Sequence, residues 1–140
     1  MAHILLVDDE PEVLIALSRI LRKQYELSTA NNAHEALDLL NQTHVDLVIS
    51  DIRMPTMSGI ELLKKIRELY PHMGRILLSG YADMEQCQQA ISDEVARIIL
   101  SKPWDNFELK DIIALIVELT ELKSENTQLR LQLDEQRNTV

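Results

Sequence analysis

The feature that most constrains this chain is an alternation between two hydrophobic periods. Short runs of strand type occur at His3–Val7, Tyr25–Ala30, Asp46–Ser50, Arg75–Ser79 and Arg97–Ser101. Between them the apolar residues take helical spacing: Val13, Leu14, Leu17, Ile20 and Leu21; then Ala36, Leu37, Leu39 and Leu40; then Ile60, Leu63, Ile66 and Leu69; and, more weakly, Met84 to Ile91. A last helical stretch begins near Asp105 and runs almost to the C-terminus. Five strands alternating with five helices predict an α/β fold with a mostly parallel sheet, covered by helices on both faces. The runs at 4–7, 47–49 and 98–100 are apolar at every position, as expected of strands buried on both sides. Asp9 ahead of Pro11 predicts a cap and a first-turn proline for the first helix, and Pro71 predicts the end of the third.

An open parallel sheet binds ligands beyond the C-terminal ends of its strands, so functional side chains belong where strands end. The first strand runs into Asp8, Asp9 and Glu10, the third into Asp51, the fourth into Ser79 and the fifth into Lys102–Pro103. Singly, each has an ordinary structural explanation: Asp9 caps a helix, an aspartate after a strand makes a turn, and Lys–Pro is a common loop dipeptide. Together they bring carboxylates, a hydroxyl and an ammonium to one rim. Carboxylates held that close repel unless a cation neutralises them, and an all-oxygen site with open water positions suits Mg²⁺. A carboxylate nucleophile, a metal and fixed donors for phosphoryl oxygens are the equipment of phosphoryl transfer. The chain has no G-x-x-x-x-G-K-[ST] pattern, so the phosphoryl group is expected from another protein or a small phosphodonor and not from directly bound ATP.

Composition narrows the partners. A net charge of -9 argues against a nucleic-acid-binding module. The longest apolar runs, such as Ile112–Val117, are far too short to span a membrane, and the first strand starts too early to leave room for a signal peptide. Cys87 is the single cysteine, so no internal disulfide can form, and a cytoplasmic location is expected. His3, His34, His44 and His72 lack ligand-like spacing, which makes a zinc site improbable.

Four segments carry a resemblance: Ile4-Leu-Leu-Val-Asp-Asp-Glu10, Asp51-Ile-Arg-Met-Pro-Thr-Met-Ser-Gly59, Leu78-Ser-Gly-Tyr-Ala-Asp83 and Ser101-Lys-Pro-Trp-Asp105. In order and spacing, over residues 1–120, they resemble the signature blocks of response-regulator receiver domains from two-component signal transduction. The resemblance implies a doubly wound, flavodoxin-like five-stranded sheet of order 2-1-3-4-5. It makes Asp51 the phospho-acceptor, Asp8 and Asp9 the acidic pocket for Mg²⁺, and the backbone carbonyl of Arg53 a further ligand. Ser79 matches the switch hydroxyl, Tyr81 the switch aromatic and Lys102 the phosphate-contacting lysine, and the peptide before Pro103 is expected to be cis. A sensor histidine kinase or phosphotransfer protein is the implied partner. Pro55 and Gly59 would shape the loop after Asp51, and Gly80 would keep bulk away from the phosphoryl site. One departure is Ile91-Ser-Asp-Glu-Val-Ala96, which lacks the glycine often found before the fifth strand.

The last helix is too long for such a domain. Ile112, Leu119, Asn126 and Leu133 fall at heptad position a, and Leu115, Leu122, Leu129 and Gln136 at d, which makes a coiled-coil seam. A second stripe, Leu109, Ile113, Ile116 and Val117, suits the sheet. Glu118 and Glu125 at g face Lys123 and Arg130 at e in a parallel pairing, and Asn126 at a favours an in-register parallel homodimer. Residues 121–140 are thus expected to be a coiled-coil extension, for dimerisation or as a linker to an output domain; the other reading is a frayed linker helix. Two further function classes stay open. A pseudo-receiver would keep the fold as an interaction module without switching. A haloacid-dehalogenase-type hydrolase also uses an aspartyl-phosphate, but places its D-x-D at the first strand.

Overall fold

A computed structural model describes residues 1–80 and 83–138. The element order is β1 (His3–Val7), α1 (Pro11–Leu21), β2 (Glu26–Ala30), α2 (Ala33–Gln42), β3 (Leu47–Asp51), α3 (Gly59–Leu69), β4 (Gly74–Ser79), α4 (Met84–Ser92), β5 (Ile98–Ser101) and α5 (Asn106–Asn138). The sheet is parallel throughout, with strand order β2-β1-β3-β4-β5, as the sequence leads one to expect.

Alternation along each strand sends neighbouring side chains to opposite faces. Ile4 and Leu6 of β1 join a core with Leu14, Leu17 and Leu21 of α1 and Leu109, Ile113 and Ile116 of α5. Leu5 and Val7 face the other way, into a core with Ala36 and Leu40 of α2, Leu62, Leu63 and Ile66 of α3 and Ala90 of α4. The register pairs Val7 with Ser50, Asp51 with Leu78 and Ser79 with Ser101. The strands therefore stop level with one another, and the residues that follow them share one rim.

Local chemistry sets most helix boundaries. Asn32 caps α2 by accepting from the Glu35 amide at 2.8 Å, and Ser58 caps α3 by accepting from the Glu61 amide at 3.2 Å. Asp105 caps α5 through two amides, Phe107 at 2.9 Å and Glu108 at 3.1 Å. The third helix ends at Leu69, two residues before Pro71. One expectation needs correcting: Asp9 is not the cap of α1. Glu10 holds that position without a side-chain cap bond, and Pro11 starts the helix without a donor to satisfy. Asp9 is left to the acidic rim.

The missing glycine before β5 is replaced by a different device. Glu94 takes the left-handed conformation, φ 58°, that glycine would adopt at little cost. Arg75 donates from Nε to the Val95 carbonyl at 2.8 Å and from its terminal nitrogens to Glu94 and Met73 at 3.2 Å, while Arg67 donates to the Asp93 carbonyl. Two guanidinium groups thus hold three consecutive carbonyls of this strained turn.

The fifth helix is 33 residues, roughly 50 Å at 1.5 Å per residue. Leu109, Ile113, Ile116 and Val117 are buried against the sheet, as their spacing predicts. Leu115, Leu122, Leu129 and Leu133 are exposed, and so is Asn126. Leu119 is shared: it sits on the seam but packs partly against the core of its own domain.

Gly59 opens α3 directly beneath the end of β3, its amide bonded to the Ile52 carbonyl at 2.9 Å. A Cβ there would lie 1.9 Å from the Asp51 carbonyl oxygen and 3.0 Å from Ser50 Oγ. At Gly80 a Cβ would meet no atom within 4 Å, so the expectation that Gly80 keeps bulk off the site has no contact to support it. Gly59→Ala should push α3 off β3 and cost about 2–3 kcal/mol, the range of core overpacking. Urea unfolding of the variant measures this.

Candidate functional site

The rim assembles as the strand register dictates. Carboxylate oxygens of Asp8, Asp9 and Asp51 lie within 4.8 Å of one another, Asp8 fully buried, Asp51 nearly so and Asp9 exposed. Lys102, delivered from beyond β5, places Nζ 3.0 Å from Asp8 Oδ2 and 2.9 Å from Asp51 Oδ1. The other oxygen of Asp8 accepts from the Glu10 amide at 2.9 Å. Pro103 follows Lys102 through a cis peptide, as expected.

The electrostatics follow from this crowding. Burial raises the pKa of Asp51. The hydrogen bond and charge of Lys102 pull it back without cancelling the shift, and the charges of Asp8 and Asp9 raise it further. Burial alone would lower the pKa of Lys102, but its hydrogen bonds to Asp51 and Asp8, with their charges, raise it above the ordinary lysine value. Hard oxygen ligands at this spacing, one of them open to solvent, fit a divalent cation such as Mg²⁺. An open cleft beside them is lined by Asp9, Ile52, Arg53, Met54, Ser58, Asp83 and Gln86.

The remaining residues singled out in the sequence fall as follows. Ser79 is buried at the end of β4; its hydroxyl donates to the Gly80 carbonyl at 2.8 Å and accepts from Cys87 Sγ at 3.1 Å. Tyr81 lies outside the described residues. The Arg53 side chain donates from Nε to Asp83 at 2.9 Å, tying the loop after β3 to the start of α4. Sequence reasoning missed Asp83 and Cys87 as partners. Asp83 reads as the last letter of a motif and Cys87 as a packing residue, and only the fold shows that Cys87, eight positions along the chain, returns to the Ser79 hydroxyl. His3 is buried, with its ring nitrogens 3.0 Å from the His44 carbonyl and 2.7 Å from Ser28 Oγ, a structural arrangement away from the rim.

Comparison with known proteins agrees with the geometry. The family model "Response regulator receiver domain" matches residues 4–114. The chain is 35% identical over 132 residues to the hydrogenase transcriptional regulatory protein HoxA of Cupriavidus necator, a match that covers 94% of this chain and 27% of that protein. It is 31% identical to the sporulation initiation phosphotransferase F of Bacillus subtilis, over 79% of this chain and 89% of that one. The crystal structure of the response regulator TrrA from Thermotoga maritima in complex with Mg²⁺ and BeF superposes with a TM-score of 0.74 at 34% identity, covering 83% of this chain and 99% of that one. The chain belongs to the response regulator receiver family. It spans about a quarter of the length of HoxA. None of the described helices is long and apolar enough to cross a membrane.

The raised pKa of Asp51 has a consequence for stability. A carboxyl whose folded value lies above its ordinary one opposes folding when ionised. The cost is absent below the ordinary carboxylate range and grows as pH rises through the raised value. In metal-free buffer at neutral pH, Asp51→Asn should therefore stabilise the protein and raise its thermal midpoint. Added Mg²⁺ should stabilise the parent protein and have much less effect on this variant. Thermal melts with EDTA and with MgCl₂ check both.

Proposed function

We propose that Asp51 accepts a phosphoryl group from a sensor histidine kinase, a phosphotransfer protein or a small phosphodonor, and that the chain is a signalling switch with no substrate to turn over. The observation that carries this reading is the bridging of two carboxylates, Asp8 and Asp51, by one ammonium, Lys102, beside a third carboxylate, Asp9. An Asp51 oxygen would attack phosphorus from the protein side, in line with the bond to the donor. That bond would break as the new P–O bond forms, and the donor would depart through the open cleft. Asp8, Asp9, Asp51 and the Arg53 carbonyl would hold Mg²⁺, which when bound neutralises charge on the phosphoryl oxygens. Lys102 already touches Asp51 and needs little movement to meet the new anion, and Ser79 supplies a further donor.

Loss of Ser79 from its resting position would leave room for Tyr81 and repack the surface of α4, β5 and α5. That is a local charge event biasing a surface with two arrangements. Residues 1–120 form the receiver. Residues 121–140 are the coiled-coil extension, of which α5 spans the part to Asn138 while Thr139 and Val140 lie outside the described residues. The helix forms a parallel homodimer through Leu115, Leu119, Leu122, Asn126, Leu129 and Leu133. The exposed leucines support this, as does the placing of Glu118 against Lys123 and Glu125 against Arg130 of a second copy.

Two measurements test this reading. Asp51→Asn should lose labelling by acetyl phosphate completely; label that persists would show the wrong acceptor. Leu122→Glu should convert a dimer to a monomer in sedimentation equilibrium while phosphoryl uptake is retained. In the pseudo-receiver alternative the parent protein would show neither Mg²⁺ binding nor labelling.

A further inference from the structure

The hydroxyl of Ser79 acts as both donor and acceptor in this structure. Its single proton goes to the Gly80 carbonyl at 2.8 Å, and its oxygen receives the thiol proton of Cys87 at 3.1 Å. Both side chains are buried, and the Cys87 bond lies wholly inside the protein, whereas the Gly80 bond is part-buried. The main chain of Ser79 is held independently: the Lys102 amide donates to its carbonyl at 2.8 Å, and the ladder pairs it with Ser101. A hydroxyl that donates to Gly80 cannot donate the same proton to a phosphoryl oxygen. To engage a phosphoryl group on Asp51, Ser79 must therefore give up the Gly80 bond. Its oxygen could go on accepting from Cys87, so the Cys87 bond opposes capture through the turn of the Ser79 side chain toward Asp51, which carries that oxygen away from the thiol.

We propose that Cys87 is a positioning residue that holds Ser79 in its resting orientation, so that the strength of the Cys87–Ser79 hydrogen bond sets how readily the phosphorylated site captures Ser79. This rests on the reading of Asp51 and Ser79 given above. A thiol is a weak donor, which makes the restraint light and the release easy. Removing the donor raises the free energy of the resting state alone and shifts the population toward the phosphoryl-bound arrangement; a stronger donor does the reverse. Packing cannot mimic this pattern. Cys87 also belongs to the core beneath α4, and a substitution acting only through packing loosens both arrangements in one direction.

The test uses the full chain, with beryllofluoride and Mg²⁺ as the phosphoryl mimic, and reads affinity from the fluorescence of Trp104, the only tryptophan. Cys87→Ala should tighten beryllofluoride binding and Cys87→Ser should weaken it, each by roughly three- to tenfold, the range expected for one hydrogen bond. Both effects should vanish in the background of Ser79→Ala, where there is no hydroxyl to hold. Opposite shifts that disappear without Ser79 establish the role. If the parent protein binds beryllofluoride but the two variants shift in the same direction, do not shift, or shift equally with and without Ser79, Cys87 is a packing residue and the inference is overturned, while the acceptor site stands. If the parent protein does not bind beryllofluoride at all, the acceptor reading fails and this inference fails with it.

Discussion

Three carboxylates and one ammonium meet where the sheet ends, and the surrounding structure is organised around keeping them there. Asp8, Asp9 and Asp51 repel one another, and Lys102 offsets only part of that repulsion by touching two of them at once. One divalent cation would cancel the two formal charges that remain. The arrangement costs the protein stability without a metal, as the raised pKa of Asp51 indicates. It persists because each participant is anchored by backbone that has no other place to go. Asp8 and Asp51 extend from buried strands, the turn around Gly59 closes on the Asp51 carbonyl, and the Lys102 amide is bonded to Ser79. A strained, charged constellation on a rigid parallel sheet is a common way to store binding energy for a later ligand.

Much of this was legible in the sequence, for a definite reason. Continuous apolar runs at Ile4–Val7 and Leu47–Ile49, alternating with helical segments, fit doubly buried strands, and once the sheet is parallel, the residues after each strand must share one end. Asp8, Asp51, Ser79 and Lys102 follow from that argument without side-chain detail. Pairing beyond the rim did not follow. Asp9 looked like a cap because aspartate before proline usually is one, yet Glu10 lies nearer the helix start. The Arg53–Asp83 ion pair and the Cys87–Ser79 hydrogen bond join segments 30 and 8 positions apart, with no periodicity to announce them. The clamp by Arg67 and Arg75 is similar. The sequence shows a missing glycine, whereas only the fold shows which cations take over its task.

The last helix illustrates a different economy. Leu109, Ile113 and Ile116 bind the sheet, while Leu115, Leu122 and Leu129 point away from it. Because 3.6 residues complete a turn, two stripes offset by two or three positions occupy distinct sides of one cylinder. The overlap falls at Leu119, which belongs partly to each. A shift of the sheet-facing stripe must therefore be felt at the first turn of the outward one, because both are the same rigid rod.

The unequal fastening of α4 carries a further consequence. At its C-terminal end two arginines grip three carbonyls of the following turn, Asp93, Glu94 and Val95. Among the described residues, its N-terminal end is tied by the Arg53–Asp83 ion pair, in which Asp83 is buried but Arg53 is largely exposed, so that the pair is worth little. The weak Cys87–Ser79 hydrogen bond adds a second tie one turn further on. The helix is hung like a door, with its hinge beside β5 and its latch beside the acidic rim. A disturbance at the rim should therefore reach the latch side before the hinge side, which the two arginines keep aligned with the sheet.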